Sequence, residues 1–239
     1  MASAKRELSF WLAAPEKRLL VAIAGRLPAW VTSNQLTGLG VGAAVGTGVA
    51  YALSSQGPVW LVVANLMLFI HWFGDSLDGT LARVRKAERP KYGYYLDHLV
   101  DAFSTAAIGI GIGLSPYVDL TLAMALVIGY LTLSINVYLE SQVFQVFRLA
   151  YGRIGPTESR LILMVANTVL GVVAPVSPGA APPQFVTLGA NLVFGALALG
   201  MVAMLVARFG QNLRALARME PRGGRMAPEP GRVSYGGGG

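Results

Sequence analysis

The sequence of 239 residues contains no cysteine, only two histidines and few charged residues. The absence of cysteine excludes disulfides, thiolate-bound metals and a cysteine nucleophile, and two histidines are too few for a histidine-rich metal site. Charged residues make up 13% of the chain, against about 25% in an ordinary soluble domain. Since 54% of the residues are hydrophobic, we do not expect a surface that faces water on all sides.

The apolar residues occur in blocks that are long enough to cross a hydrocarbon core of about 30 Å as helices. We therefore predict an all-α polytopic membrane protein with six transmembrane helices. These helices form one transmembrane domain over residues 35–209. The predicted spans are residues 35–54, 59–82, 94–115, 118–147, 158–177 and 185–208.

The nineteen lysines and arginines are distributed so that six spans place all of them on one side of the membrane. Basic residues of short loops stay in the cytoplasm, so both termini are predicted to face the cytoplasm. We predict a multi-pass protein of the cell (inner) membrane, surrounded by the lipid bilayer. This topology explains the net charge of +7, and no nucleic-acid partner is expected.

Both ends of the chain are predicted to lie outside the spans. In the N-terminal segment, residues 1–34, positions 16–27 mix basic and apolar side chains. This mixture predicts an amphipathic helix that lies in the cytoplasmic interface before Pro28 ends it, with an ordinary cytoplasmic helix as the alternative. After Arg218 the sequence is rich in Pro, Gly and Arg without apolar periodicity, so residues 210–239 are predicted to be a disordered cytoplasmic tail.

Three glycines, Gly38, Gly42 and Gly46, recur every four residues in the first predicted span. Such a stripe of small residues lets another helix approach closely. We favour packing within the chain, and contact between two chains of a homodimer is the alternative.

Four aspartates lie where the second span ends and the third begins: Asp75, Asp78, Asp97 and Asp101. An ionised carboxylate in a transmembrane helix costs about 2.5–3.5 kcal/mol, so four of them need a physical reason. A single aspartate could be a helix cap or a snorkelling group, but the spacings of three and four residues place each pair on one helix face. The connection between the two spans is short, which favours antiparallel neighbours whose acidic faces meet.

Four carboxylates in one place require counter-charge, and Arg83 alone cannot neutralise them. Oxygen ligands without cysteine favour Mg²⁺ or Mn²⁺, and two such ions are the common arrangement in phosphoryl chemistry. Gly79 and Ala82 remove side-chain bulk beside the acidic face, Arg83 can bind phosphate oxygens, and Gly93 opens the third span. The sequence therefore predicts a metal-dependent site for a phosphate-containing ligand at the cytoplasmic surface.

The acidic motif resembles a known signature. Residues 75–83 read DSLDGTLAR, and Gly93, Asp97 and Asp101 follow at intervals of four. This resembles the pattern of the CDP-alcohol phosphotransferase (phosphatidyltransferase) family, D-x-x-D-G-x-x-A-R and then G-x-x-x-D-x-x-x-D. All eight fixed positions match, although nine residues separate Arg83 from Gly93 where eight are usual. The resemblance covers about residues 16–210.

The resemblance implies an enzyme that transfers a phosphate-linked group, phosphatidyl or phosphoalcohol, from a CDP-alcohol to a hydroxyl acceptor in phospholipid biosynthesis, releasing CMP. It implies that all four aspartates bind the two metal ions and that Asp101 is also the base that deprotonates the acceptor. It assigns the CDP part to Gly79, Ala82, Arg83 and Gly93, with Asn34 and Thr37 as cytidine contacts. Ser33 replaces the proline that usually precedes this asparagine.

Four polar residues of the later spans are candidates for the acceptor pocket: Glu140, Arg153, Thr157 and Glu158. Helix capping after Pro156 is the alternative for Thr157 and Glu158, and an ion pair with Arg148 is the alternative for Glu140. His71 is expected to orient the acidic helix rather than to bind metal. The donor can be CDP-diacylglycerol or a CDP-aminoalcohol, and the sequence leaves the acceptor alcohol open.

Two other functions use similar residues. A UbiA-like prenyltransferase also binds Mg²⁺-diphosphate, but that class has more spans and a different aspartate spacing. A non-enzymatic divalent-cation transporter would carry acidic residues near the bilayer midplane on several spans. The clustering of the acids beside Gly79 and Arg83 favours the transferase.

Overall fold

The computed structural model describes residues 12–144 and 155–220, and these form seven α-helices and no strand. A short 3-10 turn, Ser54–Gln56, follows the second helix. The helices are α1 (Ala13–Ala24), α2 (Ser33–Leu53), α3 (Val59–Val84), α4 (Pro90–Leu114), α5 (Leu120–Phe144), α6 (Pro156–Val173) and α7 (Gln184–Met219). The prediction of an all-α chain is confirmed.

Four of the helices, α2, α3, α5 and α7, are long and apolar enough to cross a membrane, so the fold is that of a multi-pass membrane protein. The other two helices of the predicted six carry charges within their apolar sequence. Asp97 and Asp101 interrupt α4, and Glu158 and Arg160 begin α6. These charges lower the hydropathy of both helices below that of the other four.

Most helix ends lie within about four residues of the predicted bounds, and the largest departure is at the end of α7. The last helix continues to Met219, so the prediction that the disordered tail begins at residue 210 is wrong for residues 210–219. Hydropathy falls after Arg208, but leucine, alanine and arginine are strong helix formers, and they extend the helix beyond its apolar part. The rest of the predicted tail, residues 221–239, lies outside the described residues. At the other end, α1 begins at Ala13 rather than at residue 16.

Helix α2 is the centre of the fold because both α3 and α4 pack closely against it. A Cβ placed on Gly74 would lie 2.6 Å from the backbone nitrogen of Gly40, and one on Gly111 would lie 2.3 Å from Cα of Gly48. Backbone therefore meets backbone at both contacts. Helices α3 and α4 touch each other little, so the expectation of two directly packed neighbours is corrected: both pack on α2 rather than on each other.

Most of the glycine stripe that was predicted to mediate helix packing lies on the exposed face of α2. Gly38 and Gly42 are exposed, and a Cβ on either would meet no atom within 4 Å. Only Gly46 packs as expected, against the sulfur of Met67. A spacing of four places residues on one face, but it does not tell which face is buried.

A network of side-chain hydrogen bonds between helices connects α6 to α2 and α3. Asn167, which is buried, donates to the hydroxyl of Tyr51 at 3.0 Å and to the side-chain oxygen of Asn65 at 2.8 Å. Asn65 in turn donates to the carbonyl of Met164 and to the hydroxyl of Thr168. Because lipid offers no alternative partners, these bonds fix the position of α6.

The close contact between α2 and α4 predicts a strong effect of a single methyl group. We expect Gly111→Ala to destabilise the protein by about 1–3 kcal/mol, because the new Cβ cannot fit against Gly48 without backbone movement. Thermal unfolding in detergent measures the effect. The matched control is Gly42→Ala, which meets nothing and should be neutral or stabilising by up to about 1 kcal/mol. Equal destabilisation by both variants would contradict the packing.

Candidate active site

The four aspartates predicted as metal ligands come together where α3 ends and α4 begins. The negative charges of Asp75, Asp78 and Asp97 all act on Asp101, and those of Asp75 and Asp97 also act on Asp78. We call Asp75, Asp78, Asp97 and Asp101 the acidic cluster. Its members share one electrostatic field, as the helical spacing indicates, so each carboxylate raises the cost of ionising the others.

Asp78 is held by the first turns of α2. The hydroxyl of Thr37 donates to Oδ2 of Asp78 at 2.6 Å, and the backbone amide of Gly79 donates to Oδ1. Thr32 and Gln35 form a reciprocal capping box that fixes the start of α2 at this level. Thr37, predicted as a cytidine contact, therefore also orients one of the predicted metal ligands.

Asp75 is paired with an arginine from α6. Nη2 of Arg160 lies 2.6 Å from Oδ2 of Asp75 and 3.1 Å from Nε2 of His71. Nδ1 of His71 lies 3.0 Å from the carbonyl oxygen of Gly40, so the imidazole donates from Nδ1 and accepts from Arg160 at Nε2. This geometry supports the expectation that His71 orients the acidic helix.

Asp97 and Asp101 differ in their surroundings. The Asp97 side chain is 54% exposed, with His98 at 3.7 Å. Asp101 is half-buried beside a cavity of about 210 Å³ between α4 and α5. The cavity is also lined by the apolar residues Ala102, Leu131 and Ile135 and by Tyr130, Ser134 and Tyr138. His98 is half-buried between the rings of Tyr94 and Tyr138.

The donor set suits a hard divalent cation because carboxylate and hydroxyl oxygens are the ligands that Mg²⁺ and Mn²⁺ prefer. Across residues 12–144 and 155–220, no three side chains of His, Cys, Asp or Glu are already grouped as a finished ion site. Members of the cluster also have protein partners: Asp75 binds Arg160, and Asp78 accepts from Thr37. The four-aspartate ligand set stays a prediction.

The predicted CDP contacts surround the acidic cluster. The guanidinium of Arg83 lies beside Gly79, where a Cβ would come within 3.4 Å of Nη1, and it donates to the hydroxyl of Thr80 at 3.0 Å. Gly93 is open, since a Cβ placed on it would meet no atom within 4 Å. Ala82 is half-buried in the last turns of α3. The space beside Gly93 is therefore open, whereas the Arg83 guanidinium occupies the space beside Gly79.

Asn34, the second predicted cytidine contact, has partners in the start of α4 and the connection before it. It donates to the hydroxyl of Tyr92 at 3.2 Å and accepts from Arg89 at 3.2 Å. The Arg89 guanidinium lies over the Tyr92 ring, 3.9 Å from its centroid. All three side chains are exposed. Arg89 and Tyr92 were not predicted as neighbours of this site, since no local spacing relates them to Asn34.

Arg85 fastens the connection between α1 and α2 to the end of α3. Its guanidinium donates to the carbonyl oxygens of Leu27 at 3.2 Å, Pro28 at 2.8 Å and Val31. From the sequence, Arg85 suits either a phosphorylated acceptor or the basic cytoplasmic side of the membrane. In the structure its guanidinium is occupied by these backbone carbonyl oxygens.

Glu16 of α1 connects α1 to α3 and α6. Its Oε1 accepts from Nε1 of Trp72 at 2.7 Å, from Ser76 at 3.4 Å and from the hydroxyl of Thr157 at 2.7 Å. Glu158 adds a second link between α6 and the start of α1, accepting from the backbone amide of Leu12 at 3.0 Å. Sequence reasoning missed Glu16, because nothing in the periodicity of α1 indicates partners so distant in the chain.

The predicted acceptor residues have structural partners. Glu158 caps α6 by accepting from the amide of Gly155, and Thr157 binds Glu16. Glu140 is buried between α5 and α7, where it accepts from Asn136 and Asn212, both at 2.7 Å, with Arg208 at 4.0 Å. Arg153 and Arg148 lie outside the described residues. An acceptor role for these positions stays a prediction.

The position of Glu16 gives a testable prediction. Glu16→Ala leaves the indole of Trp72 and the hydroxyl of Thr157 without their acceptor, so we expect a loss of about 1–3 kcal/mol in unfolding free energy. Thermal unfolding of the detergent-solubilised protein measures it. Glu88→Ala, on the exposed connection between α3 and α4, is the matched control and should change little. If both variants unfold like the parent protein, Glu16 does not hold the three helices together.

Comparison with known proteins agrees with the acidic motif. The family described as CDP-alcohol phosphatidyltransferase matches residues 30–208. The chain is 32% identical over 99 residues to the archaetidylinositol phosphate synthase of Pyrococcus horikoshii. The match covers 41% of this chain and 50% of that relative. The chain therefore spans about half the length of the relative that it matches.

A solved structure has the same fold. It is the phosphatidylinositol phosphate synthase of Mycobacterium tuberculosis with CDP-DAG bound, and the superposition covers 88% of this chain and 99% of that chain. The TM-score is 0.61 and the sequence identity is 21%.

Proposed function

The chain belongs to the CDP-alcohol phosphatidyltransferase family, and on that premise we propose that it transfers a phosphate-linked group from a CDP-alcohol to a hydroxyl acceptor, releasing CMP, in phospholipid biosynthesis. The observation that carries the proposal is the acidic cluster lying beside Gly79 and Arg83 within the matched residues. The family match favours this function over the UbiA-like prenyltransferase. The position of the acids at two adjoining helix ends favours it over the cation transporter.

The family generally uses divalent metals, and the acidic cluster supplies oxygen ligands that suit them. We propose that Asp75, Asp78, Asp97 and Asp101 hold two ions, Mg²⁺ or Mn²⁺. Bound there, the ions would neutralise the charge of the diphosphate and stabilise the departing phosphate. Thr37 would keep the Asp78 carboxylate oriented, and the neutral His71 would keep its helix in register with α2.

The reaction itself needs a base and an aligned acceptor. Asp101 would take the proton of the acceptor hydroxyl, whose oxygen then forms a bond to the phosphorus distal to cytidine. The bond between that phosphorus and the oxygen of CMP breaks, so CMP leaves with the negative charge. The cavity beside Asp101 gives the acceptor a place next to this base. Catalysis on this account rests on positioning and charge neutralisation.

The nucleotide is proposed to lie in the cleft between the ends of α3 and α4. Asn34 and Thr37 would contact cytidine, while Gly79, Ala82 and Gly93 would let the diphosphate approach the backbone. Arg83 would turn from Thr80 to bind phosphate oxygens, which its planar guanidinium can contact in pairs. The exposed pair of Arg89 and Tyr92 stands at the mouth of the cleft beside Asn34.

For the substrates, we propose CDP-diacylglycerol as the donor and a phosphorylated polyol as the acceptor. The donor is suggested by the structural neighbour, which was solved with CDP-DAG bound, and the acceptor by both relatives, which are named as synthases of inositol phosphate lipids. A CDP-aminoalcohol is the alternative donor. Basic residues near the site would suit an acceptor phosphate. Arg85 is engaged with backbone carbonyls, so we propose Lys86, Lys91 and Arg153 for this role.

For the topology, we propose that α2 to α7 are six transmembrane spans and that α1 is an interfacial helix. Leu20 and Ala24 of α1 are buried against the protein, while Leu19 and Val21 are exposed where headgroups would lie. The termini and the acidic cluster would face the cytoplasm in the inner membrane, since every lysine and arginine lies on that side. Homodimer formation stays a prediction.

The proposed base gives the first functional test. In membranes supplied with Mg²⁺ or Mn²⁺, CDP-diacylglycerol and a panel of acceptors, we expect Asp101→Asn to lower CMP release by about 10²–10⁴-fold, because the amide cannot take the proton. Asp119→Asn is the matched control. It lies at the other end of the helices, paired with Asn191, and should retain activity. Undiminished CMP release by a folded Asp101→Asn variant would exclude Asp101 as the base.

The topology can be tested directly because the chain has no cysteine of its own. Single substitutions Gln56→Cys and Glu88→Cys place one thiol on each proposed side of the membrane. In intact spheroplasts, a membrane-impermeant maleimide should label the Gln56→Cys variant, and the Glu88→Cys variant only after the membrane is opened. Labelling of both from outside would contradict the six-span arrangement.

A further inference from the structure

Arg160 contacts Asp75, one of the proposed metal ligands, on the carboxylate that would bind the metal ion. Its Nη2 is 2.6 Å from the Asp75 carboxylate, and the two side chains are only 12% and 19% exposed. A contact this short and this shielded from water is a strong, charge-assisted hydrogen bond. The contact occupies part of Oδ2 and places a full positive charge beside the carboxylate to which a divalent cation would bind.

The rest of the acidic cluster explains why the arginine is there. Four carboxylates in one field are unfavourable without positive charge, and the charge of Arg160 also acts on Asp101. Arg83 does not take this role, because its guanidinium donates to Thr80 and lies over Gly79. Arg160 of α6 is the arginine that lies against Asp75.

The arginine is also held from behind. Nε2 of His71 accepts from the same Nη2, and the imidazole is fixed by the Gly40 carbonyl. The first turn of α6 is anchored to α1 through Thr157 and Glu158. These contacts hold the backbone around Arg160 in place. A change in the Asp75 contact would therefore come from rotation of the Arg160 side chain and not from movement of α6.

We propose that Arg160 is an internal counter-ion that binds Asp75 in the metal-free enzyme and competes with a divalent cation for that carboxylate. The inference rests on the proposed metal site of the acidic cluster. On this proposal Arg160 is a positioning residue that sets the affinity of the site for metal. Its positive charge offsets the carboxylates, so the protein folds without metal, and the same charge weakens the binding of a divalent cation. Once displaced, the guanidinium becomes an unpaired cation beside the cluster, suited to a phosphate oxygen.

The test is the affinity of the purified full-length protein for Mn²⁺ in the absence of substrate, measured from the electron paramagnetic resonance signal of free Mn²⁺. We expect Arg160→Gln to lower the Kd about tenfold relative to the parent protein, a coupling of about 1.4 kcal/mol. Removing any nearby positive charge strengthens cation binding somewhat, so the matched control is Arg83→Gln. It removes the same charge near the cluster without freeing a carboxylate and should change the Kd by less than about threefold.

The outcomes separate the inference from the function on which it rests. Equal Kd values for the parent protein and Arg160→Gln, or equal gains for Arg160→Gln and Arg83→Gln, would overturn the counter-ion role while leaving the metal site intact. Absence of Mn²⁺ binding in every variant, together with CMP release that needs no metal, would overturn the proposed site itself. If Arg160→Gln does not fold, Arg160→Lys serves in its place. Its shorter, single-point contact should give a smaller gain in affinity, and an unchanged or higher Kd would count against the inference.

Discussion

The repulsion among four carboxylates at the adjoining ends of α3 and α4 is the constraint on which the rest of the structure depends. Each aspartate lies in the field of the others, close to a membrane that solvates charge poorly. The surrounding residues relieve that repulsion in different ways. Thr37 donates to one carboxylate, Arg160 neutralises another, and Asp97 stays open to solvent. This need for compensating charge supports the proposed cation binding, and the chain belongs to a family that generally uses divalent metals.

The constraint also explains the glycine contacts of α2. Gly40 and Gly48 let α3 and α4 approach the same helix at backbone distance, so the two acidic ends are held at a fixed separation without packing on each other. Direct packing would bring the two acidic ends together, whereas two independent contacts with α2 keep them apart, as the proposed nucleotide site requires. The polar network of Asn65 and Asn167 then fixes α6, which carries Arg160 to the cluster. Rigid packing in the apolar part of the bundle thus sets the geometry of its charged end.

Much of this could be predicted from the sequence, because it depends on local periodicity. Blocks of apolar residues indicated the helices, and spacings of three and four placed the aspartates on common faces. Contacts between distant segments could not be predicted in this way. No spacing relates Glu16 to Trp72 and Thr157, or Asp75 to Arg160. Burial was equally hidden: a four-residue glycine repeat defines a face without telling whether lipid or protein covers it. The last helix extends past its apolar sequence because helix propensity continues where hydropathy stops.

The central claim is that divalent cations bind between the acidic ends of α3 and α4. Anomalous diffraction from crystals grown with Mn²⁺ and CDP-diacylglycerol would locate such ions directly. We expect two peaks among the carboxylates of Asp75, Asp78, Asp97 and Asp101, with Arg160 turned away from Asp75. Peaks elsewhere in the protein, or none while the nucleotide is bound in the cleft, would contradict the claim.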